Sequence, residues 1–152
     1  MGVDFGLRRI GLSLCDTGRR FATPYAVYHR QSPAADAIYF RRLVQREEIT
    51  GFVVGLPVHA DGRESELSRQ ARAFGQWLEE QTRIPVQFLD ERYTTQHAEA
   101  LLREAGLKRS DLKRKRDMIA AQIILSVFLE SPHLARQPSS PLEDPPQDQE
   151  PY

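Results

Sequence analysis

Two short, uninterrupted apolar runs constrain the fold of this chain more than any other feature. Gly51-Phe52-Val53-Val54-Gly55-Leu56 and Pro85 to Leu89 are each about one strand long and lack the polar alternation of a half-solvated strand. Strands of that kind are buried on both faces, as in parallel sheets. Between them, residues 64–82 set Leu67, Ala71, Phe74 and Leu78 along one side of a helix. Ahead of them, residues 34–49 repeat near-helical spacing with Ile38, Leu43, Val44 and Ile49. Strands alternating with amphipathic helices imply crossovers and a sheet with helices on its faces.

The chain starts differently. Met1 to Phe5, Ile10 to Cys15 and Phe21 to Tyr28 read as three strands joined by short turns. Gly6 can take φ > 0 in the first turn, and Asp16-Thr17-Gly18 is a hairpin signal. Pro24 suggests an edge or a bulge. Past the second apolar run, Thr94 or Thr95 caps a helix over 96–105 that Gly106 ends. Arg109 to Arg116 is a basic segment between helices, and Asp117 opens the last helix, which runs to Glu130. The order is βββ-αβ-αβ-αα. The expected fold is α/β: a mixed five-stranded sheet, three antiparallel strands then parallel additions, flanked by helices. The first strand belongs in its middle, beside the fourth. Residues 1–130 form the domain, and a Pro-rich acidic tail over 131–152 follows, disordered from 133 onward. Six of the ten prolines fall in that tail among Ser, Gln, Asp and Glu, too polar a mixture to bury a core.

Composition narrows the partners. The chain has 152 residues, with 21 basic and 21 acidic, enough for one core-forming domain. From 131 onward the only Lys or Arg is Arg136, against Glu143, Asp144, Asp148 and Glu150. Without those five the body holds 20 basic and 17 acidic residues, a net of +3. A mildly positive body suits a nucleic-acid partner. Only Lys108, Lys113 and Lys115 are lysines, and Arg forks suit phosphate, although an Arg-rich codon usage explains the bias equally well. The single Cys15 excludes a disulfide framework. The apolar start is too short for a signal peptide, and Met118 to Leu129 is too short to span a bilayer. The cytoplasm, with no membrane partner, is the expected location.

Three carboxylates stand where solvent is not expected. Asp4 lies inside the first strand, opposite Val3 and Phe5, where an unpaired charge is costly. A pairing with Arg8 or Arg9 across the turn would relieve it; a cation would relieve it more fully. The short first strand also offers few ladder bonds to hold Asp4. Asp90 and Glu91 end the fifth strand and point to opposite sides if it persists, so periodicity does not choose between them. Glu91 paired with Arg92 in solvent is the plain alternative. Asp117 opens the last helix, where the dipole alone favours a carboxylate. Converging carboxylates repel unless a hard cation such as Mg²⁺ takes their oxygens, and that pattern suggests phosphodiester chemistry.

Four motifs give the chain a family resemblance. Asp4-Phe5-Gly6-Leu7-Arg8-Arg9-Ile10-Gly11-Leu12 comes first, then Val53-Val54-Gly55-Leu56-Pro57 with Asp61-Gly62. Asp90-Glu91-Arg92-Tyr93-Thr94-Thr95 and Lys113 through Leu125 complete the set. In this order and spacing, over residues 1–130, they resemble the YqgF/RuvX family of RNase H-like proteins, related to the RuvC junction resolvases. The resemblance implies an RNase H-like fold. It implies Asp4, Glu91 and Asp117 as the catalytic, metal-binding acids, and so favours Glu91 over Asp90. It implies two Mg²⁺ or Mn²⁺ ions and a hydrolase trimming the 5′ end of pre-16S rRNA in ribosome biogenesis. Charge and proximity to the motifs add Arg8, Arg9, Arg92, Lys113 and Lys115 as nucleic-acid-binding candidates. The alternatives are a resolvase of branched DNA and a non-catalytic RNA-binding module. A monomer or weak homodimer is expected.

Overall fold

The computed structural model describes residues 1–94, 97, 98, 100, 103, 104, 106 and 108–137. Five strands make one sheet: β1 Gly2–Asp4, β2 Arg9–Cys15, β3 Ala22–His29, β4 Phe52–Leu56 and β5 Val86–Asp90. Their order is β3-β2-β1-β4-β5. β1 is antiparallel to β2 and parallel to β4, and β4 is parallel to β5. The first strand is therefore central, beside the fourth. Its three residues are enough because both edges are paired, with the Met1 carbonyl accepting from Val53 N at 2.9 Å. β3 forms one edge, where the missing N–H of Pro24 is tolerated. The register shifts between Leu12 and Ser13, opposite Ala26 and Pro24, a bulge that passes over Tyr25.

Three α-helices lie among the described residues: α1 Pro33–Glu47, α2 Glu66–Thr82 and α3 Arg109–Glu130. Ser32 caps α1, accepting from Ala35 N at 3.1 Å, with Pro33 at the first helical position. Ser65 caps α2 by accepting from Ser68 N at 3.0 Å. α1 and α2 pack together over one face, and α3 crosses the other against β1, β2, β3 and β4. The apolar runs are continuous because both faces are covered. Phe52, Val54, Leu56 and Phe88 point into the α1/α2 core with Phe40, Leu43, Phe74 and Leu78. Val53 and Leu89 point the other way, against Ile124, Leu125 and Val127 of α3. Each such side chain contributes about 1.5–3 kcal/mol on burial.

Two boundaries differ from the sequence expectation. The basic segment is not a connection between helices: α3 starts at Arg109, so Asp117 lies in its interior. Arg and Lys are good helix formers, and no Gly or Pro interrupts residues 109–130. The ordered chain also runs past 130. Pro132–Leu134 make a 3₁₀ turn. Arg136 then exchanges both backbone hydrogen bonds with Phe88, at 2.7 and 2.8 Å. That bridge partly covers the free edge of β5, whose groups would otherwise lack partners. Half of the helix expected over 96–105 lies outside the described residues, as do Thr95 and the tail over 138–152.

Candidate active site

Asp4 ends β1 and is the Cα partner of Gly11 on β2. A Cβ on Gly11 would run into the Asp117 carbonyl, so α3 rests directly on β2 at this point. Asp4 and Asp117 are thereby set at the same end of the sheet. Further along α3, the Ser13 hydroxyl donates to the Ala121 carbonyl at 2.7 Å, which fixes the helix against β2 a second time. Glu91 follows β5 and opens a 3₁₀ turn, Glu91–Thr94. A Cβ on Gly55 would come within 2.5 Å of both Glu91 Oε1 and Ile124 Cδ1. The bare backbone of β4 thus makes the space that the Glu91 carboxylate occupies. The three acids converge from β1, the end of β5 and α3 upon the carboxyl ends of the parallel strands. That is the usual place for chemistry in open α/β sheets.

Asp4 feels the charges of the other two. Burial pushes the Asp4 carboxyl from 3.8 up to about 7, with Glu91 and then Asp117 adding to the rise and Arg116 opposing it. Burial also raises Glu91, and Asp90 adds to that. Among the described residues Asp4 has no ion pair. Arg9, one of the two arginines offered as an alternative partner across the turn, pairs with Asp117 instead, Nε to Oδ2 at 3.4 Å. Asp90 behaves differently from Glu91. It is buried, accepts from Arg92 N at 2.9 Å and from Arg92 Nε at 2.8 Å, and is neutralised there. The pair that periodicity left open is thus separated: Asp90 closes a turn with Arg92, and Glu91 faces the other acids.

Three carboxylates offer the hard oxygen donors that Mg²⁺ or Mn²⁺ takes. The raised Asp4 marks an excess of buried negative charge, which a cation would relieve. In charge and donor chemistry the residues fit such an ion. With Arg9 on Asp117 they are not closed together: no group of three or more His, Cys, Asp or Glu side chains stands at metal-holding distance among the described residues.

Asp4 and Asp117 line a cleft of about 740 Å³ with Arg8, Arg9 and His29. Arg8 and Arg9 are exposed on its rim. Lys115 is exposed on α3 two residues before Asp117, and the Lys113 side chain lies outside the described residues. Arg92 is turned to Asp90 rather than to the cleft. Thr94 donates to the Glu91 carbonyl at 2.6 Å and so closes its own turn. One residue was missed from sequence. His29 reaches the cleft because β3 pairs it with Arg9, a register visible only once the hairpin is placed. Arg116, read from sequence only as part of the basic segment, acts on Asp4.

Comparison with known proteins bears on the family and the fold. A family model described as RuvX, Holliday junction resolvase, matches residues 1–131. A protein of Rhodopirellula baltica named "Putative pre-16S rRNA nuclease" is 43% identical over 129 residues, covering 85% of this chain and 75% of its own. A protein of the same name from Dechloromonas aromatica is 39% identical over 142 residues, covering 92% and 97%. Among solved structures, Thermus thermophilus RuvC in complex with a Holliday junction substrate superposes with a TM-score of 0.56. It is 15% identical over 90% of this chain and 96% of that one, a likeness of fold.

Proposed function

The chain belongs to the RuvX family, and from that premise we propose that it is a metal-dependent nuclease processing the 5′ end of pre-16S rRNA. The single observation that carries this reading is Asp4. A central-strand carboxyl raised to about 7 by burial and two further acids is costly to the fold and suited to binding a cation. The names of the relatives direct the reading to RNA.

Asp4, Glu91 and Asp117 would hold the ions. Bound Mg²⁺ or Mn²⁺, two ions in this reading, would supply an activated water and charge stabilisation at the leaving oxygen. The protein's own side chains do the rest. Arg8 and Arg9 stand at the mouth of the cleft and hold the phosphates flanking the scissile one. Arg9, exposed and 3.4 Å from Asp117, would be free to turn from that acid to a substrate phosphate. Lys115, with Lys113, extends the phosphate track along α3. No helix among the described residues is long and apolar enough to cross a membrane, and the cytoplasm, where ribosomes mature, is the proposed location.

Resolution of branched DNA is the second reading, favoured by the description of the matching family model. One experiment separates the two. A 5′-extended 16S precursor fragment and a four-way DNA junction are incubated with Mg²⁺, Mn²⁺ or EDTA, beside Asp4→Asn. Metal-dependent trimming of the RNA alone is expected, with Asp4→Asn slower by well over about a hundredfold, beyond the loss typical of outer-sphere residues. Cleavage of the junction alone selects the DNA reading. A folded Asp4→Asn protein with full activity removes the three-carboxylate site. Binding of RNA without cleavage under any condition leaves a non-catalytic module.

A further inference from the structure

A second groove, about 370 Å³ in volume, opens on the α1/α2 side of the sheet. Phe5 and Leu7 line both it and the carboxylate cleft, so the two adjoin along these residues. The link is built into β1 and its turn. Asp4 faces the α3 side, and the next residue, Phe5, faces the opposite core.

The walls of this groove differ from those of the cleft. Phe74 stands 5.2 Å from Phe5, and Trp77 stands 5.6 Å from Phe74, all as ring centroids. The Arg30 guanidinium lies 5.5 Å from the centroids of both Phe5 and Phe74. Asp36 holds it from behind at 3.5 Å. Gln70 completes the lining with an amide that can donate and accept. Leu7 forms the lip and is 62% exposed at the tip of the first turn. An aromatic wall of tilted rings that ends in the part-buried Trp77, a cation stacked on rings and an adjustable amide are the parts with which proteins hold an unpaired base and its phosphate. The volume admits about one nucleotide and no duplex, and a base paired inside a helix cannot reach such a wall.

We propose that this groove binds the base of an unpaired nucleotide of the substrate strand, close to the phosphate cleaved at Asp4. The base stacks on Trp77, its edge meets Gln70, and Arg30 meets its phosphate. The inference rests on the nuclease reading and deepens it: the substrate is single-stranded RNA at the point of cleavage.

Trp77 is the only tryptophan of the chain, so its fluorescence reports on this groove alone. The full chain is titrated in EDTA with a labelled single-stranded RNA of about eight nucleotides, the DNA of the same sequence, and a blunt RNA duplex. Label anisotropy reports total binding, and Trp77 emission reports the groove. Single-stranded RNA is expected to quench Trp77 in step with binding, and the duplex to bind without quenching. An abasic position walked along the strand should relieve the quench at one or two positions only. Trp77→Leu should weaken single-strand binding roughly tenfold and spare duplex binding. If that variant fails to fold, Leu7→Ser, altered only at an exposed lip, serves instead. Quenching by single-stranded DNA as well supports the base-stacking groove and places the sugar outside it. Binding without quench, an equal quench by duplex, or a flat abasic walk overturns the proposal and leaves the nuclease reading standing. Absence of both binding and metal-dependent cleavage overturns the nuclease reading and the groove with it.

Discussion

Asp4 holds its proton up to about pH 7, far above an ordinary aspartate, and the sign of the consequence can be worked out. Between about pH 4 and 7 the native carboxyl is protonated while the unfolded one is not. The native state then binds more protons, so stability falls as pH rises through that window and levels off above it. The rise from 3.8 to about 7 corresponds to at most about 4 kcal/mol, and hydration of the cleft reduces it. Glu91 is raised too and adds to the same slope. The Met1 amine, lowered to about 6 by burial, works in the opposite sense between about pH 6 and 8, where the unfolded state binds the extra proton and stability rises with pH, but it is common to wild type and variant. In EDTA, Asp4→Asn should therefore unfold at a higher temperature than wild type at pH 8, with the difference vanishing near pH 4. Mg²⁺ should raise the wild-type melting temperature at pH 8 far more than that of the variant. Identical pH dependence in the two proteins would show that Asp4 carries no such charge penalty. That an acid stood in the central strand was legible from Val3 and Phe5 on either side of it. Which acid carries the proton was not legible, because it depends on Glu91 and Asp117 from distant parts of the chain.

Between elements, glycines set the height of α3 over the sheet. Gly11 has no room for a Cβ beneath the Asp117 carbonyl, whereas a Cβ on Gly51 would meet only the Pro85 carbonyl at 3.9 Å. Gly11→Ala should cost about 1–3 kcal/mol, as overpacking does, and should lower cleavage by more than the loss of folded protein explains, because Asp117 moves. Gly51→Ala should change neither by much. Equal midpoints of denaturation for the two variants would contradict the close approach of helix and strand. Strands β1 to β5 were readable because hydrophobic pattern and turn residues coincide there. The start of α3 was not, because periodicity is an apolar signal and Arg109 to Arg116 carries mostly charge. The difference has a chemical consequence. Asp117 sits eight residues past the start of α3, more than two turns inside, so the helix dipole does not stabilise it and Arg9 does. The 3₁₀ turn that aims Glu91 likewise left no mark on the sequence.

Across the whole molecule, charge is sorted by where the fold puts it. Four ordered motifs were enough to name the family and to propose the acids, because each keeps its place along the chain. They could not say which cation meets which acid: Arg92 turns in to Asp90 and Arg9 turns across to Asp117, pairings that exist only after β5, β2 and α3 assemble. That sorting separates two kinds of basic residue that look alike in sequence. Lys115 is exposed on α3, and with Lys113 it should act on nucleic acid through counterion release. The double variant Lys113→Ala/Lys115→Ala should flatten the slope of log K against log salt for a single strand by about 1.4, at roughly 0.7 for each phosphate no longer neutralised. Its thermal stability should stay within about 0.5 kcal/mol of wild type. Arg92→Ala should do the reverse. It strands the buried Asp90 carboxylate, lowers stability by about 1–3 kcal/mol and leaves the salt slope in place. Salt-dependent titrations and melts of the two variants decide the matter. An unchanged slope in the lysine pair would remove the basic track from α3. A flattened slope in Arg92→Ala without loss of stability would mean that Arg92 leaves Asp90 for phosphate once nucleic acid is bound.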